Sequence, residues 1–195
     1  MVQSRIPLKD GNVVLYSSPN LGISIQDLFK ELYENTPWEQ RSIVIYGKEI
    51  QQPRLIAWYS DYSYTYSGLR LESRPLTPRL FQLKELMTDL CGSSFNGVLL
   101  NLYPDGQSSI GMHADDEPEF GPNPTIASLS LGATRRFDFK AKDGSPEIIS
   151  VVLESGSVLN MSGNTQQLYK HGVAKTKENV GPRINLTFRN ILIKK

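Results

Sequence analysis

The stretch Asn101-Leu-Tyr-Pro-Asp-Gly-Gln-Ser-Ser-Ile-Gly-Met-His113-Ala-Asp115 opens as a strand and ends in His-x-Asp. The chain has two histidines in all, and the other is His171. Two imidazoles and one carboxylate make the 2-His-1-carboxylate facial set, which holds non-haem Fe(II) and leaves positions on the metal open. Residues two apart on a strand share a face. A strand through 113–115 therefore brings His113 and Asp115 to one ion, and the same period sets Asn101 beside Tyr103. His-x-Asp alone is a common polar loop; here the pattern uses every histidine of the chain, and a matching arginine strand follows.

That strand is Arg183-Ile-Asn185-Leu-Thr187-Phe-Arg189. Its odd positions are polar and its even positions apolar, the alternation of a half-buried strand. One reading is a solvated polar face. The other is a pair of arginines gripping carboxylates, since the guanidinium fork binds that group bidentately. The two lie six residues apart, roughly 20 Å at about 3.3 Å per residue. One small dianion cannot bridge them end to end. Arg189 serves a metal end and Arg183 a distal carboxylate only if the strand bends or a side chain reaches along it.

Upstream of that strand, from Ile126, strand signals recur over 126–131, 136–140, 147–153, 158–161 and 169–173, and the last strand is predicted over 183–193. Short Gly, Asn, Asp and Pro turns separate them, which predicts a sandwich or jelly roll. The N-terminal part adds a mobile start, a turn at 9–12 and a short strand over 13–16. Ser24 caps a helix to about Asn35 with Ile25, Leu28, Phe29, Leu32 and Tyr33 as its apolar stripe. Thr77-Pro78 opens a second helix, with Leu80, Leu83, Leu86 and Leu90 inward and Gly92 ending it. Between the helices, 43–50 reads as a hairpin with Tyr46, Gly47 and Lys48 at its tip. Tyr62, Tyr64 and Tyr66 fall on one predicted strand face, as a structural ladder or a pocket wall.

The 195 residues suit a single domain, 1–195, with a substantial core. A net charge of +1 excludes a global basic signature, so any nucleic-acid footprint is local. Arg135, Arg136, Lys140 and Lys142 form such a cluster, read equally as a phosphate track or a solvated edge. The single cysteine, Cys91, excludes an internal disulfide framework and predicts a packed thiol. The opening residues predict no secretory leader, and no apolar run predicts a membrane span.

Seven segments running in order from 53 to 189 carry a resemblance. They are Pro53-Arg-Leu-Ile-Ala-Trp-Tyr59, Tyr64-Thr-Tyr-Ser67, Asn101-Leu-Tyr103, His113-Ala-Asp-Asp-Glu-Pro118, Ala127-Ser-Leu-Ser-Leu-Gly-Ala-Thr-Arg135, His171 and the 183–189 strand. Together they resemble the AlkB-type Fe(II)/2-oxoglutarate-dependent dioxygenases, dealkylases of nucleic acid. The resemblance implies a mainly β fold with flanking helices and a double-stranded β-helix (jelly-roll) core over 93–195. It makes 1–92 a substrate-recognition region. It implies Fe(II) held by His113, Asp115 and His171, with O₂ and 2-oxoglutarate as co-substrates. Asn101, Tyr103, Arg183, Asn185, Thr187 and Arg189 would hold 2-oxoglutarate.

By the same resemblance Tyr64 and Tyr66 line the pocket of a flipped base, stacking being the usual way such a base is held. Tyr46, with Gly47 and Lys48, matches an aromatic finger that fills the gap in a duplex, although the familiar occupant is phenylalanine. The flanking 37–41 and 51–55 segments look more like relatives that prefer single strands. Asp116 and Glu117 read as loop acids or as substrate contacts, and Glu117 suits the exocyclic amine of adenine or cytosine. The implied reaction is oxidative demethylation of 1-methyladenine and 3-methylcytosine in DNA, and in RNA, releasing formaldehyde and succinate. A monomer in the cytoplasm, or in the nucleus of a eukaryote, is expected. The alternatives are an oxygenase of protein or small-molecule substrates, and a non-catalytic β-barrel binding module.

Overall fold

Strands dominate the computed structural model, which describes residues 2–45, 48–66 and 69–192, with side chains described outside 43–49 and 64–71. In chain order they are β1 (Gln3–Ile6), β2 (Asn12–Tyr16), β3 (Glu39–Ile45), β4 (Lys48–Ser60), β5 (Tyr64–Tyr66), β6 (Leu69–Leu71), β7 (Gly97–Tyr103), β8 (Ile110–His113), β9 (Ile126–Gly132), β10 (Arg135–Ala141), β11 (Ile148–Leu153), β12 (Val158–Ser162), β13 (Tyr169–Val173) and β14 (Arg183–Arg189). The helices are α1 (Ile25–Asn35), α2 (Pro78–Cys91) and the single turn α3 (Thr165–Leu168). Eight strands form one sheet in the order β1-β2-β12-β9-β14-β7-β4-β3. Four form a second in the order β11-β10-β13-β8, and β5 pairs with β6.

Strand β14 explains the layering. It lies between β7 and β9, in unbroken antiparallel register with both. Ile184, Leu186 and Phe188, all fully buried, pack with Leu28 and Leu32 of α1 and Leu80, Leu83 and Met87 of α2. Each such side chain contributes roughly 1.5–3 kcal/mol of burial. The opposite face of the large sheet meets the small one. Tyr103, Ile126, Leu159 and Met161 from the first pack with Phe137, Phe139, Val151 and Tyr169 from the second. A strand in the middle of a sheet covered on both faces has no solvated side. All seven residues of β14 are buried, so the solvated-face reading of its arginines is excluded.

The helices form where their caps predict. The Ser24 side chain accepts the Asp27 N–H, and that of Thr77 accepts the Leu80 N–H. Gly92 closes α2 in the left-handed region at φ 63°, which favours glycine. Met87 is fully buried in α2, while Leu86 and Leu90 are only partly so. Cys91 packs against the same core, and burial pushes its thiol up to about 12.

Three expectations change. The start of the chain is not loose: β1 pairs with β2, from Gln3↔Tyr16 to Ile6↔Val13. The last strand stops at Arg189, because the Asn96 side chain takes over the Ile191 backbone, accepting its N–H and donating to its carbonyl. Tyr62 precedes β5 rather than sharing its face, and its carbonyl accepts the Trp58 indole N–H. The 43–50 hairpin forms as β3 and β4 with Ile45 opposite Lys48. Tyr46 and Gly47 lie outside the described residues. Among the described residues no helix is long and apolar enough to cross a membrane.

Candidate metal and co-substrate site

The two histidines face each other on neighbouring strands. His113 on β8 pairs with His171 on β13, and their rings meet edge-on at 4.5 Å. The approach is close because β13 carries Gly172, where a Cβ would come within 2.9 Å of the Ile110 carbonyl. Ligand atoms of His113, Asp115 and His171 all lie within 4.8 Å of one another, close enough to share one metal ion. Asp115, however, is not on the strand. β8 ends at His113, and Asp115 lies two residues beyond the ladder. What brings it back is side-chain bonding: the Asp115 N–H donates to Gln166 Oε1 at 3.0 Å, and Arg189 Nη2 donates to Asp115 Oδ1 at 2.7 Å.

The protonation states suit a metal. His113 Nδ1 lies 2.9 Å from the Gly111 carbonyl, which only accepts, so that nitrogen carries the proton and Nε2 keeps its lone pair. Burial holds His113 below the ordinary imidazole range, with Asp115 and the Gly111 carbonyl opposing. Burial and the His113 ring push His171 down to about 3. Burial pushes the Asp115 carboxyl upward, but Arg189 and then the two histidines outweigh it and hold the group below its usual range. Two neutral imidazoles beside an ionised carboxylate are the donor forms a divalent ion takes. Phe137 stacks on His171 at 5.2 Å and walls the ring from water.

One cavity continues from these three residues along the polar face of β14 and is lined by Asn101, Tyr103, Asn185, Thr187 and both arginines. The two arginines therefore stand at its two ends without any bulge in β14. At the far end Arg183 is fully buried. Its Nη2 donates to Ser130 Oγ at 2.9 Å, while Nε and Nη1 are buried with no hydrogen-bond partner. Such donors are costly unless an acceptor arrives, and a carboxylate fits them. Asn185 and Thr187 bond to each other at 2.9 Å, and Asn185 also donates to Ser128 Oγ, so both are held rigidly. Arg54 Nε donates to Asn101 Oδ1 at 2.8 Å and commits that carbonyl.

The remaining sequence-selected residues divide. Glu117 lies partly buried within electrostatic reach of Asp115 and Arg189, with Oε2 buried and without a hydrogen-bond partner. Burial pushes its carboxyl up to about 7, Arg189 opposing and Asp115 adding. Asp116 points outward and bonds Lys142 at 2.8 Å. Lys48, Tyr64 and Tyr66 are on described strands, but their side chains are outside the description, as Tyr46 and Gly47 are altogether. The basic cluster does not hold together. Arg135 is buried, and its guanidinium donates to the carbonyls of Asp105, Ser108 and Ala174, so it clamps loops and cannot meet phosphate. Arg136 is exposed beside Asp138, and Lys142 is held by Asp116 and the Gln166 carbonyl. Sequence reasoning gave no role to Gln166, Arg54, Ser128 or Ser130. Their signal is a polar residue buried in a β core, which shows only once burial is known.

Comparison with known proteins agrees with this geometry. The profile of the 2OG-Fe(II) oxygenase superfamily matches residues 18–189. The Bos taurus alpha-ketoglutarate-dependent dioxygenase alkB homolog 3 is 40% identical over 173 residues, covering 84% of this chain and 60% of that protein. The chain thus spans less than two thirds of the length of those relatives. The Homo sapiens DNA oxidative demethylase ALKBH2 is 38% identical over 191 residues, covering 93% of this chain and 73% of that protein. The structure of OsALKBH1 superposes with a TM-score of 0.65 at 19% identity, over 95% of this chain and 99% of that one, and shows a shared fold.

Proposed function

The chain belongs to the 2OG-Fe(II) oxygenase superfamily, among its AlkB-type dioxygenases, and from that premise we propose that it oxidatively demethylates N-alkylated bases in nucleic acid. The substrates in this reading are 1-methyladenine and 3-methylcytosine, in DNA and in RNA. The observation that carries it is one cavity with three metal-ligating residues at one end and a buried arginine with unpaired donors at the other. The relatives named DNA oxidative demethylase supply the substrate class.

Fe(II) with 2-oxoglutarate and O₂, when bound, would supply the oxidation that releases the N-methyl carbon as formaldehyde, leaving N–H on the base, while 2-oxoglutarate becomes succinate and CO₂. The chain's own residues do the rest. His113, Asp115 and His171 are the metal ligands in this assignment, and the Gly111 carbonyl fixes the tautomer of His113. Arg183 binds the distal carboxylate of 2-oxoglutarate with its free donors. Asn101, Tyr103, Asn185 and Thr187 add polar contacts along the cavity, and Arg189 serves its metal end. Glu117 offers an acceptor to the exocyclic amine of the base and a charge to the methylated cation. Tyr64 and Tyr66 stack on the extruded base, and Tyr46, Gly47, Lys48 and Asp116 meet the flanking nucleic acid.

In this reading the chain acts as a monomer, in the cytoplasm or the nucleus of a eukaryote. Residues 1–92 recognise substrate and 93–195 carry the chemistry within one domain, 1–195, since β4 pairs with β7 and β2 with β12 in a single sheet. The test is formaldehyde release from matched single- and double-stranded methylated DNA and RNA, with Fe(II) and 2-oxoglutarate present or omitted. Formaldehyde that depends on both supports the assignment. Iron-dependent succinate without formaldehyde from any oligonucleotide points to a protein or small-molecule substrate, and neither product returns the chain to a binding module.

A further inference from the structure

We propose that Gln166 is a positioning residue for the metal site: its buried amide holds the Asp115 backbone where the strand ladder no longer can. The inference rests on the assignment of Asp115 as a metal ligand. Strands β8 and β13 are paired at His113↔His171, and β8 ends there. Asp115, two residues on, has a buried N–H and no ladder partner to receive it. Gln166 Oε1 receives it at 3.0 Å, from a side chain with no solvent exposure. The amide orientation is fixed by this bond, since an N–H accepts nothing; the Gln166 Nε2 donor then turns to Met161 Sδ at 3.7 Å.

Gln166 is itself anchored from the far side. The preceding Thr165 is fully buried; its hydroxyl donates to the Ser162 carbonyl and accepts the Asn12 N–H at 2.9 Å. A second link joins the same two segments, because Lys142 Nζ donates both to the Gln166 carbonyl and to Asp116 Oδ2, each at 2.8 Å. The α3 turn that carries Gln166 runs directly into β13 and His171. One buried amide therefore couples the placement of two metal ligands, Asp115 through its backbone and His171 through the chain. Arg189 sets the carboxylate head of Asp115, and Gln166 sets its main chain. Outer partners of metal ligands commonly govern affinity by about 10–100-fold.

The test uses the full chain with Co(II) alone, read by its ligand-field absorption and by titration, so no turnover is needed. Gln166→Met keeps length and burial but offers no oxygen; Gln166→Asn keeps the amide but falls a methylene short. Either should weaken Co(II) affinity by about tenfold or more and alter the Co(II) spectrum, with the circular dichroism of the fold unchanged. Ser157→Ala removes an equally buried hydroxyl, bonded to the Glu154 carbonyl, from a turn that does not line the cavity. It should lower thermal stability and leave Co(II) affinity and spectrum as they are. Wild-type Co(II) binding in whichever Gln166 variant folds, or an equal loss of affinity in Ser157→Ala, overturns the proposal. Asp115→Ala separates the two ideas: if it binds Co(II) normally, the ligand assignment itself fails, and the positioning role with it.

Discussion

Arg189 Nη2 donates to Asp115 Oδ1 at 2.7 Å, while Oδ2 of the same carboxylate faces His171 Nε2 at 3.9 Å. The carboxylate is thus divided. One oxygen answers a buried guanidinium, and the other turns toward the imidazole with which it would share an ion. Both side chains are almost fully buried, so neither charge has water to fall back on. A sequence reading assigns Arg189 to the co-substrate and Asp115 to the metal; the fold makes each a condition of the other.

The first prediction follows from that pairing. Breaking a buried ion pair by deleting one partner typically costs about 3–5 kcal/mol, because the other charge is stranded. Asp115→Ala should therefore abolish turnover and also lower stability by about that amount in chemical denaturation. The double variant Asp115→Leu/Arg189→Met removes both charges and should recover most of the loss while remaining inactive. His113→Ala, which leaves the Asp115–Arg189 pair intact, should be inactive and close to wild type in stability. A stable Asp115→Ala would show that the pair contributes little.

The arginines at the two ends of the cavity give the second. Lysine keeps the charge but loses the two-pronged grip. Arg183→Lys and Arg189→Lys should each weaken apparent 2-oxoglutarate affinity by about tenfold or more, about 1.4 kcal/mol, measured with nucleic acid saturating. Unchanged affinity in both variants would mean the co-substrate lies elsewhere.

Arg135 supplies a third, against its place in a sequence-level basic cluster. Its three bonds to backbone carbonyls tie the loop after β7 to the end of β13. Arg135→Met leaves those carbonyls without their partner and should cost about 3 kcal/mol, taking each charged bond as worth roughly 1.5–3 kcal/mol and partly replaced by water. The salt dependence of oligonucleotide binding should not move, whereas each lost phosphate contact would lower its slope by about 0.9. A changed slope with unchanged stability would restore the phosphate reading.

These cases mark what sequence could tell. The caps Ser24, Thr77 and Gly92 and the alternation of 183–189 rest on local chemistry, and each appears where periodicity or capping puts it. The meeting of His113 with His171, by contrast, is legible only from the histidine count and the family resemblance. Position 115 does not, because period two holds only while the ladder lasts, and β8 ends at His113. Gln166 and Arg135 carry no local signal at all. Their partners lie 51 residues away for Gln166 and up to 39 for Arg135, so only the packed sheets distinguish a buried bond from a solvated side chain. β1 carries no sequence signal for a related reason: its partner strand, not its composition, makes it a strand.

The last prediction concerns Tyr46. The hairpin register puts Ile45 opposite Lys48; Tyr46 itself lies outside the described residues, and its role is read from the resemblance alone. If Tyr46 fills the gap left by an extruded base, its ring matters only where there is a stack to fill. Base–aromatic stacking is worth roughly 1–3 kcal/mol, so Tyr46→Ala should slow demethylation of duplex DNA by about tenfold or more. Single-stranded substrate, whose base is already free, should be nearly unaffected. Tyr66→Ala is the control, since a ring stacked on the flipped base itself should matter for both. Equal losses on the two substrates for Tyr46→Ala would make it a general contact. No loss on either would leave an ordinary hairpin and favour a single-strand preference, in keeping with the 37–41 and 51–55 segments beside it.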